Sequence, residues 1–261
     1  RLKALWQHMR PVVHELFPAE PGRPEAQASL DRAAEIYIHD AYHSLSIEGY
    51  QVTPELIARI ASGDWNPATD GADHERVNAM AAKGYHEAFK TVLTSLREVL
   101  AGGLAPTMVN RDLPNWYRAL FSPSVQAGLL PAHALAGYRN RPVFIRGSEH
   151  VPPPHEALPE LLDTLFELLV AEPSAGVQAV LGHFLFVHIH PYSDGNGRIG
   201  RFILNTLLAP GGYPWTVIRV DHRQTYMRAL ENASVRHDIG DFTRFVADEM
   251  AASAELKGPK R

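Results

Sequence analysis

The sequence predicts a mainly α-helical protein with one short β-hairpin. Most apolar residues recur at helical spacing, in segments bounded by capping residues, prolines or glycines. Before residue 190, residues 141–147 form the one convincing β-like run. Two very apolar segments, residues 181–189 and 202–208, flank a glycine-rich loop. Segments that are apolar nearly all round predict a pair of buried helices at the centre of the fold.

Composition narrows the class of protein. With 261 residues and 45% apolar content, the chain can build one large or two small domains. Its net charge of −4 argues against general binding to nucleic acids or membranes. The absence of cysteine excludes disulfides and thiolate metal sites and fits a cytoplasmic location. No apolar segment is long enough to span a bilayer, and the start does not resemble a signal peptide. The missing initiator Met suggests that residues precede Arg1.

Residues 1–104 are predicted to form an N-terminal helical region. Helices are expected at residues 1–17, about 25–49, 53–60 and about 73–100. Pro11 should interrupt the first helix. Thr53 is a favourable N-cap and is followed by proline at the first helical position. Gly49 lies where a helix C-cap favours glycine.

Residues 105–261 are predicted to form the second region. Helices are expected at residues 107–121, 155–170, 173–189, 198–208 and 221–233 and from residue 241. Pro114 should interrupt the first of these or divide it into two short helices. Residues 138–150 contain the predicted hairpin.

Residues 190–201 read His-Pro-Tyr-Ser-Asp-Gly-Asn-Gly-Arg-Ile-Gly-Arg and combine the groups of a phosphate site. Gly195-Asn196-Gly197 can bring backbone N–H groups close to an anion, at the positive end of the helix dipole that follows. Arg198 and Arg201 are three residues apart and share a helix face, so two guanidinium groups can meet one anionic ligand.

Two further side chains of this run suit nucleotide chemistry. Asp194 supplies the hard oxygen that Mg²⁺ prefers beside a nucleotide phosphate. His190 can accept a proton at neutral pH. His188 is two residues away and has ligand-like spacing to His190, but residues two apart on a helix point in different directions. His188 is therefore expected to be a core or supporting histidine.

The same loop formally contains a dinucleotide fingerprint. Gly195, Gly197 and Gly200 have its spacing, and Asp221 follows at a suitable distance. A dinucleotide-binding oxidoreductase is therefore one alternative. Against it, residues 191–194 separate the first glycine from any preceding strand, and the chain does not alternate strands with helices.

Residues 190–201 resemble the signature of the Fic family, HPF-x-[D/E]-GNGR-x-x-R, with Tyr192 replacing phenylalanine. The resemblance implies a Fic-type helical core and transfer of AMP from ATP to a Ser, Thr or Tyr hydroxyl of a target protein. It implies that His190 is the general base and that Asp194 holds Mg²⁺. Gly195, Asn196, Gly197 and Arg198 would bind phosphates, Arg201 the γ-phosphate, and Tyr226 would lie near adenine.

A second motif resembles the inhibitory helix of Fic proteins. Ser44 to Gly49 matches [S/T]-x-x-x-E-[G/N], within the helix expected at about 25–49. A carboxylate in the last turn of a helix faces the negative end of the dipole, so Glu48 should have a cationic partner elsewhere. The resemblance implies that this partner is Arg201 and that the pair suppresses productive ATP binding. Ser44, Glu48 and Gly49 are the candidate inhibitory residues.

The predicted hairpin loosely resembles the Fic flap. The resemblance implies that Val143, Phe144 and Ile145 hold a target segment by strand addition. The protein itself is a further candidate target of the modification, and a homodimer is a candidate assembly. Other functions stay open: transfer of another nucleotide or phosphate-containing group, removal of AMP, or a non-catalytic regulatory binding role.

Overall fold

The computed structural model describes residues 1–65 and 73–258. Within them the chain forms eleven α-helices and several short 3₁₀ turns. The helices are α1 (Leu2–Leu16), α2 (Ala26–Glu35), α3 (Tyr37–Ile47), α4 (Pro54–Ser62), α5 (Asp73–Leu100), α6 (Ala105–Gln126), α7 (Leu158–Ala171), α8 (Ala175–Ile189), α9 (Asn196–Leu208), α10 (Arg223–Arg236) and α11 (Gly240–Ala254).

The centre of the fold is the pair α8 and α9. The Ser174 hydroxyl caps α8 by accepting a hydrogen bond from the Val177 N–H, and nearly every residue of α8 is buried. Gly195 precedes α9 with φ of 84°, a left-handed conformation that favours glycine. The two helices pack along each other. The predicted buried pair is confirmed.

The long helices α5 and α6 pack closely beside this centre. At Gly84 a β-carbon would collide with the backbone oxygen of Leu120, so only glycine permits this approach. Helix α6 runs unbroken through Pro114, and α1 runs unbroken through Pro11. The predicted interruptions are therefore wrong. Burial of neighbours such as Trp116 offsets the missing backbone hydrogen bond.

The helix predicted at about 25–49 is two helices, α2 and α3, separated at Ile36. Two hydrogen bonds anchor α3 through its buried Asp40. The Tyr85 hydroxyl of α5 donates to this carboxylate at 2.6 Å, and the Trp215 indole N–H donates at 3.1 Å. The first turn of α3 is thereby fixed against the centre of the fold.

The predicted β-hairpin is wrong, because no residue among 1–65 and 73–258 belongs to a strand. Residues 138–150, which we call the flap, form an irregular segment with a turn in which the Ser148 N–H donates to the Ile145 carbonyl. Two buried or half-buried side chains hold it instead of a strand ladder. Arg139 donates to carbonyls at its base, and Glu231 accepts from the backbone of Glu149. An isolated two-stranded hairpin is marginally stable without further partners.

Buried apolar side chains from Leu2 to Met250 form one contiguous cluster. The proposed boundary at residues 104 and 105 falls between the packed helices α5 and α6, and the division into two regions stays a prediction. Across the described ranges, no helix combines the length and apolar character needed to cross a membrane. The same ranges contain no parallel sheet, which contradicts the dinucleotide-binding alternative.

Candidate active site

The loop between α8 and α9 is braced by its own side chains. The Asn196 side-chain amide donates to the Tyr192 carbonyl at 2.8 Å and accepts from the Tyr192 N–H at 2.9 Å. The Tyr192 ring stacks on Tyr117 with centroids 3.9 Å apart and planes 5° apart. Asn196 therefore shapes the loop through its side chain, and its backbone remains at the helix N-terminus.

His190 ends α8 in a left-handed conformation, with φ of 53°. Its Nδ1 lies 3.3 Å from the Val187 carbonyl oxygen. Because a carbonyl can only accept, this contact requires a proton on Nδ1 and leaves the lone pair on Nε2. Burial lowers the pKa of His190, and Arg139 and His150 add to this effect. The imidazole is thus kept neutral and able to accept a proton at Nε2.

The first turn of α9 is the positive end of that helix, and a carboxylate lies against it. The first N–H groups of a helix have no partner within the helix, and the dipole makes this end positive. The Glu48 carboxylate lies directly above Gly197, where a β-carbon would collide with Glu48 Oε1. Glu48 therefore occupies the position in which an anionic ligand would approach Gly197.

Arg201 contacts both the Glu48 carboxylate and Ser44 in the last turns of α3. Its Nη2 donates to Glu48 Oε1 at 2.6 Å and to the Ser44 carbonyl at 3.0 Å, and its Nε donates to the Ser44 hydroxyl at 2.8 Å. The side chain is 4% exposed, and its Nη1 has no hydrogen-bond partner. The predicted contact between Glu48 and Arg201 is confirmed, and the buried Nη1 is a donor without a partner.

The electrostatics of Glu48 favour its charged form. Burial alone would raise the pKa of this carboxyl, but the nearby guanidiniums of Arg201 and Arg198 hold it below its ordinary value. Gly49 follows with φ of 92° and ends the helix as the sequence predicts. At neutral pH the end of α3 therefore presents a carboxylate to two arginines.

Arg198 and Asp194 form a second ion pair beside the loop. Arg198 Nη2 lies 3.2 Å from Asp194 Oδ2, and the guanidinium lies 5.1 Å from the ring centroids of both Tyr50 and Phe121. Arg198 is 1% exposed, whereas the Asp194 side chain is 62% exposed. Arg198 therefore acts on the site as a buried charge, and Asp194 faces outward.

A cavity of about 620 Å³ opens beside Gly197 and Arg201, and the predicted residues Asp194, Gly195 and Arg198 do not line it. It is lined by Glu48, Ile145, Arg146, Gly147, Ser148, His150, Val187, His190, Asn196, Gly197, Arg201, Arg223, Tyr226, Met227, Arg228, Leu230, Glu231 and Ser234. We call it the nucleotide cavity, after the ligand that the sequence predicts. It brings the predicted base, anion site and inhibitory carboxylate together with the flap. Val143 is partly buried, Phe144 is 80% exposed, and neither lines the cavity.

Two further residues line this cavity: Tyr226, which the sequence predicted, and Arg223, which it did not. Tyr226 is 1% exposed, and its hydroxyl lies 2.7 Å from His183 Nε2, so it supports the wall from within. Arg223 Nε donates to the carbonyl of Ile47 at 2.7 Å and so caps the end of α3. The sequence offered no signal for Arg223, because its acceptor is a backbone carbonyl far away in the chain.

The chemistry of the loop fits a magnesium ion only together with a nucleotide. Among the described residues no group of three or more His, Cys, Asp or Glu side chains could hold a metal. Asp194 is exposed, and Mg²⁺ commonly binds through one carboxylate plus substrate phosphates and waters. His188 lies 3.2 Å from the Ser234 hydroxyl and stacks on His150, as expected of a supporting histidine.

Fold and site together define a class: an all-helical protein in which a loop between two central helices presents a base and an anion site to a nucleotide-sized cavity. Residues 110–208 match the Fic/DOC family. Protein adenylyltransferase Fic of Drosophila willistoni is 32% identical over 231 residues, 86% of this chain and 42% of that protein. Protein adenylyltransferase Fic of Nematostella vectensis is 30% identical over 255 residues, which are 95% of this chain and 55% of that protein. Residues 110–208 therefore belong to the Fic/DOC family.

Solved structures show the same fold. Residues 134–508 of Fic-1 from C. elegans superpose with a TM-score of 0.69 at 22% identity, covering 96% of this chain and 71% of that one. A Fic-domain signalling protein from Bacteroides thetaiotaomicron gives a TM-score of 0.66 at 17% identity, covering 97% and 94%. The chain spans about half the length of the curated relatives that it matches.

Proposed function

We propose that this protein transfers AMP from ATP to a Ser, Thr or Tyr hydroxyl of a target protein. The observation that carries the proposal is the shared cavity, in which His190, the start of α9 and Arg201 meet. The relatives at 30–32% identity are named protein adenylyltransferase Fic, which supports the same activity.

In this proposal His190 is the general base. The target hydroxyl oxygen forms a bond to the α-phosphorus of ATP, and its proton passes to His190 Nε2. The bond between the α-phosphorus and the bridging oxygen breaks, and pyrophosphate leaves with the electron pair. The N–H groups of Asn196 and Gly197 bind phosphate oxygens, while Arg198 offsets their charge and Arg201 donates to the γ-phosphate. The predicted donor Gly195 already gives its N–H to Asp194 Oδ1 at 2.6 Å, so Gly195 contributes through its left-handed turn.

Asp194 would hold Mg²⁺, which supplies neutralisation of the phosphates when bound. The rest of the site orients the reactants through the chain's own groups. The exposed face of residues 143–145, with Phe144 projecting furthest, would receive the target segment beside the cavity. Tyr226 would support the adenine side from behind the wall.

Glu48 acts as an inhibitor in the same proposal. Its carboxylate lies over Gly197 and holds Arg201, so phosphates must compete with it for both groups. Phosphoryl and nucleotidyl transfer depend mainly on positioning and charge stabilisation, so one misplaced carboxylate suppresses the rate. Ser44 contributes by holding the other side of the Arg201 guanidinium.

The test compares ATP labelled at the α-phosphate with ATP labelled at the γ-phosphate. Glu48→Gly and the double variant Glu48→Gly, His190→Ala are each incubated with Mg²⁺ and a protein extract freed of small molecules. Relative to the extract alone, we expect added α-label, but no added γ-label, on protein with the single variant and a loss of at least about 100-fold of that α-label in the double variant.

Other outcomes separate the alternatives. Label from the γ-phosphate would mean phosphoryl transfer. Absence of both labels, with ATP binding intact, would contradict AMP transfer and favour another donor or a binding role. Label that persists without His190 would remove the assignment of the base.

A further inference from the structure

Arg139 is a buried arginine at the base of the flap that makes no ion pair among the described residues. It is 4% exposed, and every hydrogen-bond acceptor of its guanidinium is a backbone carbonyl. Burying a guanidinium without a carboxylate partner costs free energy, and only its hydrogen bonds offset that cost. All of these bonds hold nearby backbone carbonyls in place.

One set of contacts fixes the end of α8. Arg139 Nε donates to the His190 carbonyl at 2.8 Å, and Nη2 lies 3.5 Å from the Ile189 carbonyl. The Arg139 backbone N–H donates to the Pro191 carbonyl at 2.9 Å. Three consecutive carbonyls at the negative end of the helix dipole thus meet one cationic residue.

This geometry bears on the conformation of His190 itself. A left-handed φ in a residue other than glycine is unfavourable and persists only where surrounding contacts enforce it. The bond from Arg139 to the His190 carbonyl is such a contact. It fixes the peptide from which the imidazole projects towards the nucleotide cavity.

The second set of contacts links the start of the flap to the segment that follows it. Arg139 Nη1 donates to the Arg141 carbonyl at 3.1 Å, and Nη2 donates to the Pro153 carbonyl at 2.6 Å. Arg141 precedes Val143–Ile145, and Pro153 follows the flap. One guanidinium therefore joins the start of the flap and the segment after it to the backbone of His190. Arg139 does not line the nucleotide cavity.

We infer that Arg139 is a positioning residue for AMP transfer: it aligns His190 with the flap and leaves ATP binding to other residues. The inference rests on the proposed function, since it requires His190 to be the base. Lysine in this place keeps the charge but cannot span carbonyls on both sides with a planar fork.

The experiment uses Glu48→Gly as the parent and adds Arg139→Lys or Arg139→Gln. The control is Arg97→Lys, an exposed position of α5 outside the cavity. The rate of α-label transfer at saturating ATP and the Kd for ATP are measured for each. We expect Arg139→Lys to lower the rate by about 10- to 100-fold while the Kd for ATP stays within about twofold. Arg139→Gln should lose at least as much, and Arg97→Lys should match the parent.

Arg139→Lys keeps the test decisive if Arg139→Gln does not fold. A full parental rate in Arg139→Lys would overturn the inference. So would equal proportional losses of rate and ATP affinity, because these indicate general structural damage. If the parent itself transfers no AMP, the proposed function fails, and the positioning role fails with it.

Discussion

His190 combines a half-buried imidazole with a neutral tautomer, and this combination sets the pH range of activity. A general base works in its neutral form, so activity is lost as pH falls through its pKa. Burial, Arg139 and His150 lower the pKa of His190 below 6.5, whereas the Val187 carbonyl and Glu48 raise it. Removing Glu48 therefore moves the pKa in the lowering direction.

We expect the rate of AMP transfer by Glu48→Gly to hold its plateau below pH 6.5 and to fall with a midpoint under that value. The measurement is the rate at ATP concentrations well below KM between about pH 5 and pH 8, because this rate reports the pKa of the enzyme without bound ATP. Unfolding is monitored in parallel. A midpoint at or above 6.5 would contradict the lowered pKa.

Individual residues differ in how far the sequence could predict them. The loop residues and Glu48 lie in contiguous motifs, so their chemistry and the contact with Arg201 could be anticipated. Arg139 and Arg223 could not, because both act through backbone carbonyls that carry no residue identity. The motif predicted that the backbone of Asn196 lies at the start of α9. It did not predict that the Asn196 side chain braces the loop through the backbone of Tyr192.

Helix α3 is anchored by Asp40, and the anchor is sensitive to pH. Burial raises the pKa of Asp40 to about 6, although hydrogen bonds from Tyr85 and Trp215 and the charge of Arg201 oppose the change. The folded state thus binds this proton more tightly than the unfolded state does. The corresponding stabilisation is complete below about pH 3.8 and is lost as pH rises through about 6.

Asp40→Asn should remove this pH dependence. Relative to the variant, the free energy of unfolding of the wild type should fall by on the order of 2–3 kcal/mol between about pH 4 and pH 7. Urea unfolding at several pH values measures the difference between the two proteins. A difference that stays constant with pH would show that Asp40 titrates normally.

Elements were predictable where local patterns and packing agree. The apolar periodicity located α8 and α9, and Thr53 with Pro54 located the start of α4. Pro11 and Pro114 misled because buried neighbours maintain a helix despite a lost hydrogen bond. The flap misled because a β-like run forms a strand only with a partner, and Arg139 and Glu231 take its polar groups instead.

The whole molecule places the end of one helix over the start of another. Helix α3 is fixed by Asp40 at its first turn and by Arg223 at its last carbonyl, and this arrangement holds Glu48 above α9. A carboxylate near the positive end of a helix is favourable, so the contact of Glu48 with α9 is stable without a nucleotide. Under the proposed function, activation requires only that Glu48 leave Arg201 and Gly197.

The most direct measurement is the rate of α-label transfer from ATP by the wild type, Glu48→Gly, Glu48→Gln and Glu255→Gly. Glu255 is a matched control, because it is the C-cap of α11 as Glu48 is the C-cap of α3. We expect Glu48→Gly to exceed the wild type by at least about tenfold, with Glu48→Gln also raised because it lacks the charge that holds Arg201. Glu255→Gly should equal the wild type. Equal rates in Glu48→Gly and Glu255→Gly would contradict inhibition by Glu48.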